Sequence, residues 1–307
     1  MKQNRYLLGI LLVISGGVCL SISGILLRIM DNADGWQIIF FRSIAFFCTI
    51  LTILVFKYGR KTFAAYRAVG ILGLVAATLL SLGSVLYIFA MLNTTVANVV
   101  FIIGSSPLVT ALVAWLFLKE KLSAWRLATM VVAVLGIGLM FIDGFVSGGL
   151  LGNILAMCMV FVFAFYLLIL RAKKDVDMVP ATGLSGLLTF AVAAIMVSDL
   201  NITAHDLLIC IVLGSLQFGL GFFLLTLGTR FIPAAEVALF ALSESALGPI
   251  WVWIGVNEVP GNYTFFGGGI VLASVITYSL IAIRHERQLH NHLKNQSNNP
   301  FAAKPNE

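Results

Sequence analysis

Charged residues are scarce in this chain. Asp, Glu, Lys and Arg together make up 10% of its 307 residues, whereas soluble domains carry about 25%. Hydrophobic residues account for 60%, and the mean hydropathy is +1.04. One water-soluble core cannot bury that much apolar surface. The composition therefore excludes an ordinary soluble domain and predicts an all-α, polytopic protein of the lipid bilayer.

Cysteine and histidine, at four residues each, are also rare. The cysteines lie within apolar runs and lack paired spacing, which predicts small core side chains rather than disulfides or a metal site. The histidines fall in one loop and in the polar C-terminal segment, whereas membrane enzymes usually cluster theirs near an interface. Neither a metal nor a cofactor is predicted.

Nucleotide-binding motifs are missing as well. The sequence has no G-x-x-x-x-G-K-[ST] run and no room for an ATPase domain, which excludes an ATP-driven pump. A sensor would normally carry a cytosolic output domain, and no such domain is evident. A secondary transporter is the leading interpretation, and an integral membrane enzyme and a non-transporting membrane sensor are kept as alternatives.

Long apolar runs, in contrast, are abundant in the chain. They predict ten transmembrane helices, at about 6–28, 36–57, 68–91, 96–118, 124–142, 149–170, 180–198, 207–228, 234–256 and 263–283. The first run is too long for the apolar part of a signal peptide. We expect two five-helix halves, at residues 6–143 and 149–284. A disordered cytoplasmic tail is expected at residues 285–307.

The positions of the basic residues are consistent with the ten predicted spans. If both termini are cytoplasmic, every Lys and Arg lies in a cytoplasmic segment except Arg28 and Arg42. This pattern agrees with the positive-inside rule and supports ten spans with both termini inside. We expect the membrane to be an inner (plasma) membrane of bacterial type. The net charge of +6 is then an orientation signal that lipid headgroups also attract. It does not indicate binding to nucleic acid.

Two of the predicted spans contain a proline. Pro107 lies in the middle of the fourth span and leaves the Ile103 carbonyl without its helical partner, which a membrane bundle tolerates if neighbours or cavity water satisfy it. Pro249 lies in the ninth span. Both are candidate hinges, and static kinks are the alternative.

A weak internal repeat relates the two halves. A shift from Leu82 to Leu220 also aligns Gly83 with Gly221 and Glu120 with Glu258. Because each half has an odd number of spans, the second half enters the membrane from the opposite side. This predicts two inverted repeats, an architecture associated with alternating access about a site near the bilayer midplane.

The fourth and fifth spans resemble the signature of the drug/metabolite transporter superfamily, EamA-like family. The resemblance rests on the central Pro107, on the Glu120–Ser123 end of the helix and on Gly136 and Gly138 in the fifth span. Arg42 also resembles an arginine common in the second span of that family. The second half departs from the pattern, since Asn257-Glu258-Val259-Pro260 replaces the usual glycine-glutamate-basic end.

The resemblance implies ten helices in two inverted halves. It also implies a central cavity lined by the first, third and fourth helices of each half, and usually export of small metabolites. Family members carry substrates from amino acids to nucleotide sugars, so it does not fix the cargo. We expect a small-molecule substrate, with an amino acid or a related compound as the leading class.

Glu244 is the most informative single residue, because a carboxylate at bilayer depth costs roughly 2.5–3.5 kcal/mol even on permissive scales. It is predicted to contact a substrate amine or to couple transport to protons. The alternative is a structural acid hydrogen-bonded between helices. Arg42 is predicted either to reach a substrate carboxylate or to serve a structural role, snorkelling outward or pairing with a loop aspartate.

Uncharged polar side chains complete the predicted substrate site. These are Ser84, Tyr87, Asn98, Gln217 and Ser243. Such groups also bond neighbouring helices, for about 1 kcal/mol each. Glycines of the tenth span, Gly267 to Gly269, permit close helix approach, either within one chain or along a homodimer seam.

Overall fold

The computed structural model describes residues 2–118, 124–172, 176–228, 231–232 and 234–297, and every regular element within those ranges is helical. The first part of the chain forms α1 (Lys2–Ser21), α2 (Ser23–Arg28), α3 (Gly35–Tyr58), α4 (Thr62–Ala68), α5 (Gly70–Asn93), α6 (Val96–Gly104), α7 (Ser106–Leu118) and α8 (Ala124–Ser147). The second part forms α9 (Leu150–Ala172), α10 (Val179–Met196), α11 (Ala204–Val212), α12 (Gly221–Gly228), α13 (Ala234–Val256) and α14 (Asn262–Ser297). A 3-10 turn, Gly59–Lys61, precedes α4, and a π-helical segment, Leu213–Leu220, joins α11 to α12.

Seven helices in the described part of the chain are long and apolar enough to cross a bilayer, and the bent pair α6–α7 makes an eighth candidate. They match the predicted spans 1–4, 6–8 and 10. In the fifth span the described apolar stretch, Leu127–Ile142, is shorter. The helix α13 coincides with the ninth predicted span. A multi-pass membrane protein is therefore supported, while the count of ten and the inverted orientation of the halves remain predictions.

The break in the fourth span lies beside its proline, as the sequence predicts. The helices α6 and α7 meet at Ser105 with a bend of 42°. The Ser106 hydroxyl donates to the Ile103 carbonyl that Pro107 frees, so a neighbouring side chain satisfies it. Pro249 lies inside the continuous helix α13. Movement at either proline remains a prediction.

The loops at one end of the bundle are joined by polar contacts, and we call this end the distal face. It contains residues 29–34, 94–95, 148–149, 197–203 and 257–261. The buried Asp206 carboxylate accepts hydrogen bonds from the backbone N–H groups of three consecutive residues, at 2.9–3.1 Å. His205 Nδ1 lies 3.4 Å from this carboxylate and from that of Asp31. Because its oxygens already accept backbone donors, Asp206 fits a loop anchor better than a metal ligand.

The opposite end of the bundle, which we call the terminal face, contains residues 59–69 and 176–178. There Lys57 and Tyr58, at the end of α3, both donate to the Asp177 carboxylate ahead of α10. The predicted Glu120–Ser123 motif at the end of the fourth span lies outside the described residues.

Apolar packing differs between the two faces. One large cluster of buried side chains comes mainly from helix ends at the distal face, among them Leu27, Ile38, Met91, Val96, Ile209 and Val252. Towards the terminal face, the described buried residues divide into four smaller clusters, centred on Val13, Ile50, Val113 and Leu80. The helices are thus packed most continuously on the distal side.

The last helix continues further than the sequence predicts. Although a disordered tail was expected from residue 285, α14 runs to Ser297. The stretch from residue 284 to 297 contains no Gly or Pro to stop a helix. Residues 298–307 of the expected tail lie outside the described residues.

Candidate functional site

A buried arginine lies in the middle of the bundle. Arg42, on α3, is 3% exposed, and its Nη1 donates to Ser84 Oγ on α5 at 2.8 Å. Its guanidinium carbon lies 4.6 Å from the ring centre of Phe218 and 5.8 Å from that of Tyr87. Its buried Nε has no hydrogen-bond partner. Within the described residues no carboxylate pairs with Arg42, so its positive charge is balanced only by rings and a hydroxyl.

The π-helical segment brings Phe218 to the guanidinium. Single π-turns inside α-helices are rare and are frequently found at functional sites. Gly214 in this segment allows a close approach, because a Cβ there would lie 2.2 Å from the Arg42 carbonyl oxygen. The neighbouring Gln217 is buried. Its Nε2 donates to the Leu20 carbonyl at 3.2 Å, while its Oε1 has no partner.

Tyr87 connects this arginine to the first span. Its ring lies beside Arg42, and its hydroxyl forms a hydrogen bond with Ser23 Oγ on α2. Ser84 and Tyr87 are three positions apart on α5 and therefore lie on the same side of that helix. The predicted residues Arg42, Ser84 and Tyr87 are thus brought together.

The second half contributes a carboxylate. Glu244 on α13 is half-buried, and Tyr87 lies within electrostatic range of its carboxylate. Within the described part of the chain it makes no hydrogen bond or ion pair. Ser243 beside it has a buried hydroxyl without a partner. A Cβ added to Gly17 would lie 2.1 Å from that hydroxyl, so α1 and α13 approach closely here.

These residues form one polar cluster in which neither Arg42 nor Glu244 has an ion-pair partner among the residues that the structure describes. Arg42 comes from the first half and Glu244 from the second. Tyr87 contacts Arg42 and lies within electrostatic range of Glu244. We call Ser23, Arg42, Ser84, Tyr87, Gln217, Ser243 and Glu244 the polar cluster. Its groups can bind an anion at the guanidinium and a cation or proton at the carboxylate.

Asn98 lies apart from the polar cluster. Its Nδ2 donates to Thr94 Oγ1 at 3.1 Å, and its Oδ1 accepts from Thr264 Oγ1 at 2.5 Å. Thr94 Oγ1 in turn donates to Asn153 Oδ1, and Asn153 Nδ2 donates to the Met140 carbonyl. This chain of hydrogen bonds joins α6 to α8, α9 and α14. The contacts of Asn98 therefore match the alternative role named above, a polar side chain that bonds neighbouring helices.

Two members of the site were not among the predicted residues. Ser23 and Phe218 carry no signal of their own, since serine and phenylalanine are common in membrane helices. Phe218 follows the predicted Gln217 directly, so its proximity in sequence was the only available sign. Ser23 is recognisable only through its contact with Tyr87.

Comparison with known proteins identifies one family, whose model matches both halves of the chain. The model of the EamA-like transporter family matches residues 7–142 and 150–280, which covers both halves. A solved structure titled only "Crystal structure of protein" is similar with a TM-score of 0.65 and 14% sequence identity, over 91% of this chain and 98% of its own. At that identity the likeness concerns the fold alone. No curated protein matched the chain.

Proposed function

The chain belongs to the EamA-like transporter family, whose members are membrane transporters of the drug/metabolite transporter superfamily, and from this premise we propose that it is a secondary transporter of a small metabolite. We propose an amino acid or a related zwitterion as the substrate, and export from the cytoplasm by alternating access. The membrane would be a bacterial-type inner membrane with both chain termini on the cytoplasmic side.

The observation that carries this proposal is the pair of unpaired charges in the polar cluster. An isolated charge among apolar helices is costly, and a buried charge is normally paired or coordinated. A substrate carboxylate at Arg42 and a substrate ammonium at Glu244 would neutralise both charges at once. The same substrate would also bridge the two halves, since each half supplies one charge.

The remaining cluster residues fit the role of orienting groups. Ser84 holds the guanidinium, and the free acceptor of Gln217 and the free hydroxyl of Ser243 are available for a ligand. Phe218 and Tyr87 would contact the apolar part of the substrate. Glu244 is also the proton-coupling candidate, because a half-buried carboxylate can exchange a proton when the substrate leaves.

Transport by purified protein in liposomes tests this function. Uptake of a panel of labelled amino acids and analogues is measured in wild type, Arg42→Gln and Glu244→Gln, with exposed Arg284→Gln as the matched control. A hydrogen bond to a charged group contributes about 1.5–3 kcal/mol, so each cluster variant should raise KM by roughly 10- to 150-fold. Arg284→Gln should leave KM unchanged.

Three outcomes would count against different parts of the proposal. If no small metabolite moves through the wild-type protein, the transporter assignment fails. If transport occurs but Arg42→Gln and Glu244→Gln retain wild-type KM and rate, the transporter stands and the substrate site lies elsewhere. Uptake that is indifferent to an imposed pH gradient would remove proton coupling only.

A further inference from the structure

Arg28 connects three segments at the distal face. It is the last residue of α2, and its Nε lies 2.5 Å from Glu258 Oε2, in the loop after α13. Its Nη1 donates to the Met91 carbonyl at 2.8 Å, and its Nη2 donates to the Thr94 carbonyl at 2.7 Å. One guanidinium therefore holds together the end of the first span, the end of α5 and the loop after α13.

Glu258 adds a fourth segment. Its Oε1 accepts a hydrogen bond from the backbone N–H of Val96, at 2.7 Å. Val96 is the first residue of α6, where a helix has unsatisfied N–H groups and a partial positive charge. The pair Arg28–Glu258 thus joins α2, α5 and α6 of the first half to α13 of the second half.

The helices beneath this pair are in direct contact. A Cβ on Gly24 would lie 2.4 Å from Val96, and one on Gly255 would lie 2.4 Å from Ile25. The first span therefore packs without a gap against both α6 and α13 on the distal side. This is also the side on which the apolar core is continuous.

We propose that Arg28 and Glu258 form a reversible latch that closes the polar cluster on the distal face and opens when substrate passes to that side. The proposal rests on the transport function proposed above. Reversibility fits the surroundings of the pair, since the two side chains are 23% and 20% exposed. Water can solvate both charges as the contact opens, so neither is left buried and uncompensated, as would happen in a fully buried pair.

Ser23 reports on the state of the latch. It lies five residues before Arg28 on the same helix, about 7.5 Å deeper in the bundle. It is buried, at 1% exposure, and bonds Tyr87 of the polar cluster. A cysteine at this position has nearly the same shape as serine and becomes reactive only when the distal side admits water.

The test measures labelling of Ser23→Cys in a chain whose four native cysteines are replaced. A membrane-impermeant maleimide is added from the side opposite the termini. Glu258→Gln should raise the initial labelling rate by about tenfold, as expected when a charge-assisted hydrogen bond no longer favours the closed state. Asp199→Asn, a carboxylate of the distal face outside the latch, is the matched control and should not change the rate.

A labelling rate in Glu258→Gln equal to that of the control overturns the latch. Should Glu258→Gln fail to accumulate, the double variant Arg28→Cys with Glu258→Cys, joined by a short cleavable bis-thiol reagent, replaces it. Cross-linking should then stop transport and cleavage should restore it, whereas transport at the uncross-linked rate would overturn the proposal. Because the labelling test needs no substrate, its result is independent of whether the proposed cargo is correct.

Discussion

The close contact between Gly214 and the Arg42 backbone can be tested directly, because it determines how near the π-helical segment lies to α3. The substitution Gly214→Ala places a methyl carbon 2.2 Å from the Arg42 carbonyl oxygen, 2.7 Å from Ala45 Cβ and 2.9 Å from the Phe46 nitrogen. Two of these three atoms belong to the backbone of α3, so a side-chain rotation cannot remove the conflict. The π-helical segment and α3 must therefore separate by roughly 1 Å, the shortfall from an ordinary contact.

Two opposing contributions set the size of the effect. Overpacking of this kind typically costs 1–3 kcal/mol, and alanine is favoured over glycine within a helix by roughly 0.5–1 kcal/mol. Taken at the middle of both ranges, the net loss of stability is about 1 kcal/mol. For a chain of this size that corresponds to a fall in Tm of about 1–4 °C. The same displacement moves Phe218 away from the guanidinium, so substrate affinity should fall as well.

The matched control is Gly138→Ala, since a Cβ on this exposed helical glycine meets no atom within 4 Å. Its Tm should equal or exceed that of wild type. Both variants are heated in detergent, and the remaining monodisperse protein is measured by size-exclusion chromatography. A Gly214→Ala variant as stable as Gly138→Ala would refute the close approach of the π-helical segment to α3.

Two further predictions concern packing and charge. Gly17→Ala would bring a methyl group against the Ser243 hydroxyl but leave 3.4 Å to its Cβ, so it should lower Tm and Ser243→Ala should restore it in the same heating assay; additive losses would contradict this. At the terminal face, burial alone would raise the pKa of Asp177, but hydrogen bonds from Lys57, Tyr58 and a backbone N–H outweigh it and hold the pKa below its ordinary value. Because the folded-state pKa is depressed, the stabilisation is present above the ordinary pKa and is lost as pH falls through the folded value. Asp177→Asn should therefore lower Tm at neutral pH and converge with wild type in acid, whereas a pH-independent difference would argue against the pair.

Features that depend on local sequence were predictable. Apolar run length determines where a helix can cross a bilayer, so the predicted spans agree with the helices within a few residues. Pro107 produces a break for a reason confined to its own turn of helix. Arg42 and Glu244 were conspicuous because a charge within an apolar membrane span costs free energy and therefore usually has a specific role.

Features that depend on distant segments were not predictable. Asn98 and Ser84 looked alike in sequence, yet Thr94 and Thr264 occupy the hydrogen-bonding groups of Asn98, while Ser84 faces Arg42. No residue type marks the π-helical segment that brings Phe218 to the guanidinium. The contact between Arg28 and Glu258 spans most of the chain, and a charge near a helix end has many ordinary roles.

The latch and the polar cluster are connected through a single helix. Arg28 and Ser23 both lie on α2, and a helix of that length moves as a unit because its backbone hydrogen bonds fix the spacing of its residues. When Arg28 releases Glu258 together with the Met91 and Thr94 carbonyls at the end of α5, α2 is free to move and Ser23 moves relative to Tyr87. Since Tyr87 contacts Arg42 and lies within electrostatic range of Glu244, a substrate that bridges those two residues also changes the surroundings of the Ser23–Tyr87 bond. Opening on the distal side and occupancy of the site would then be linked through this one bond, without a separate signalling element.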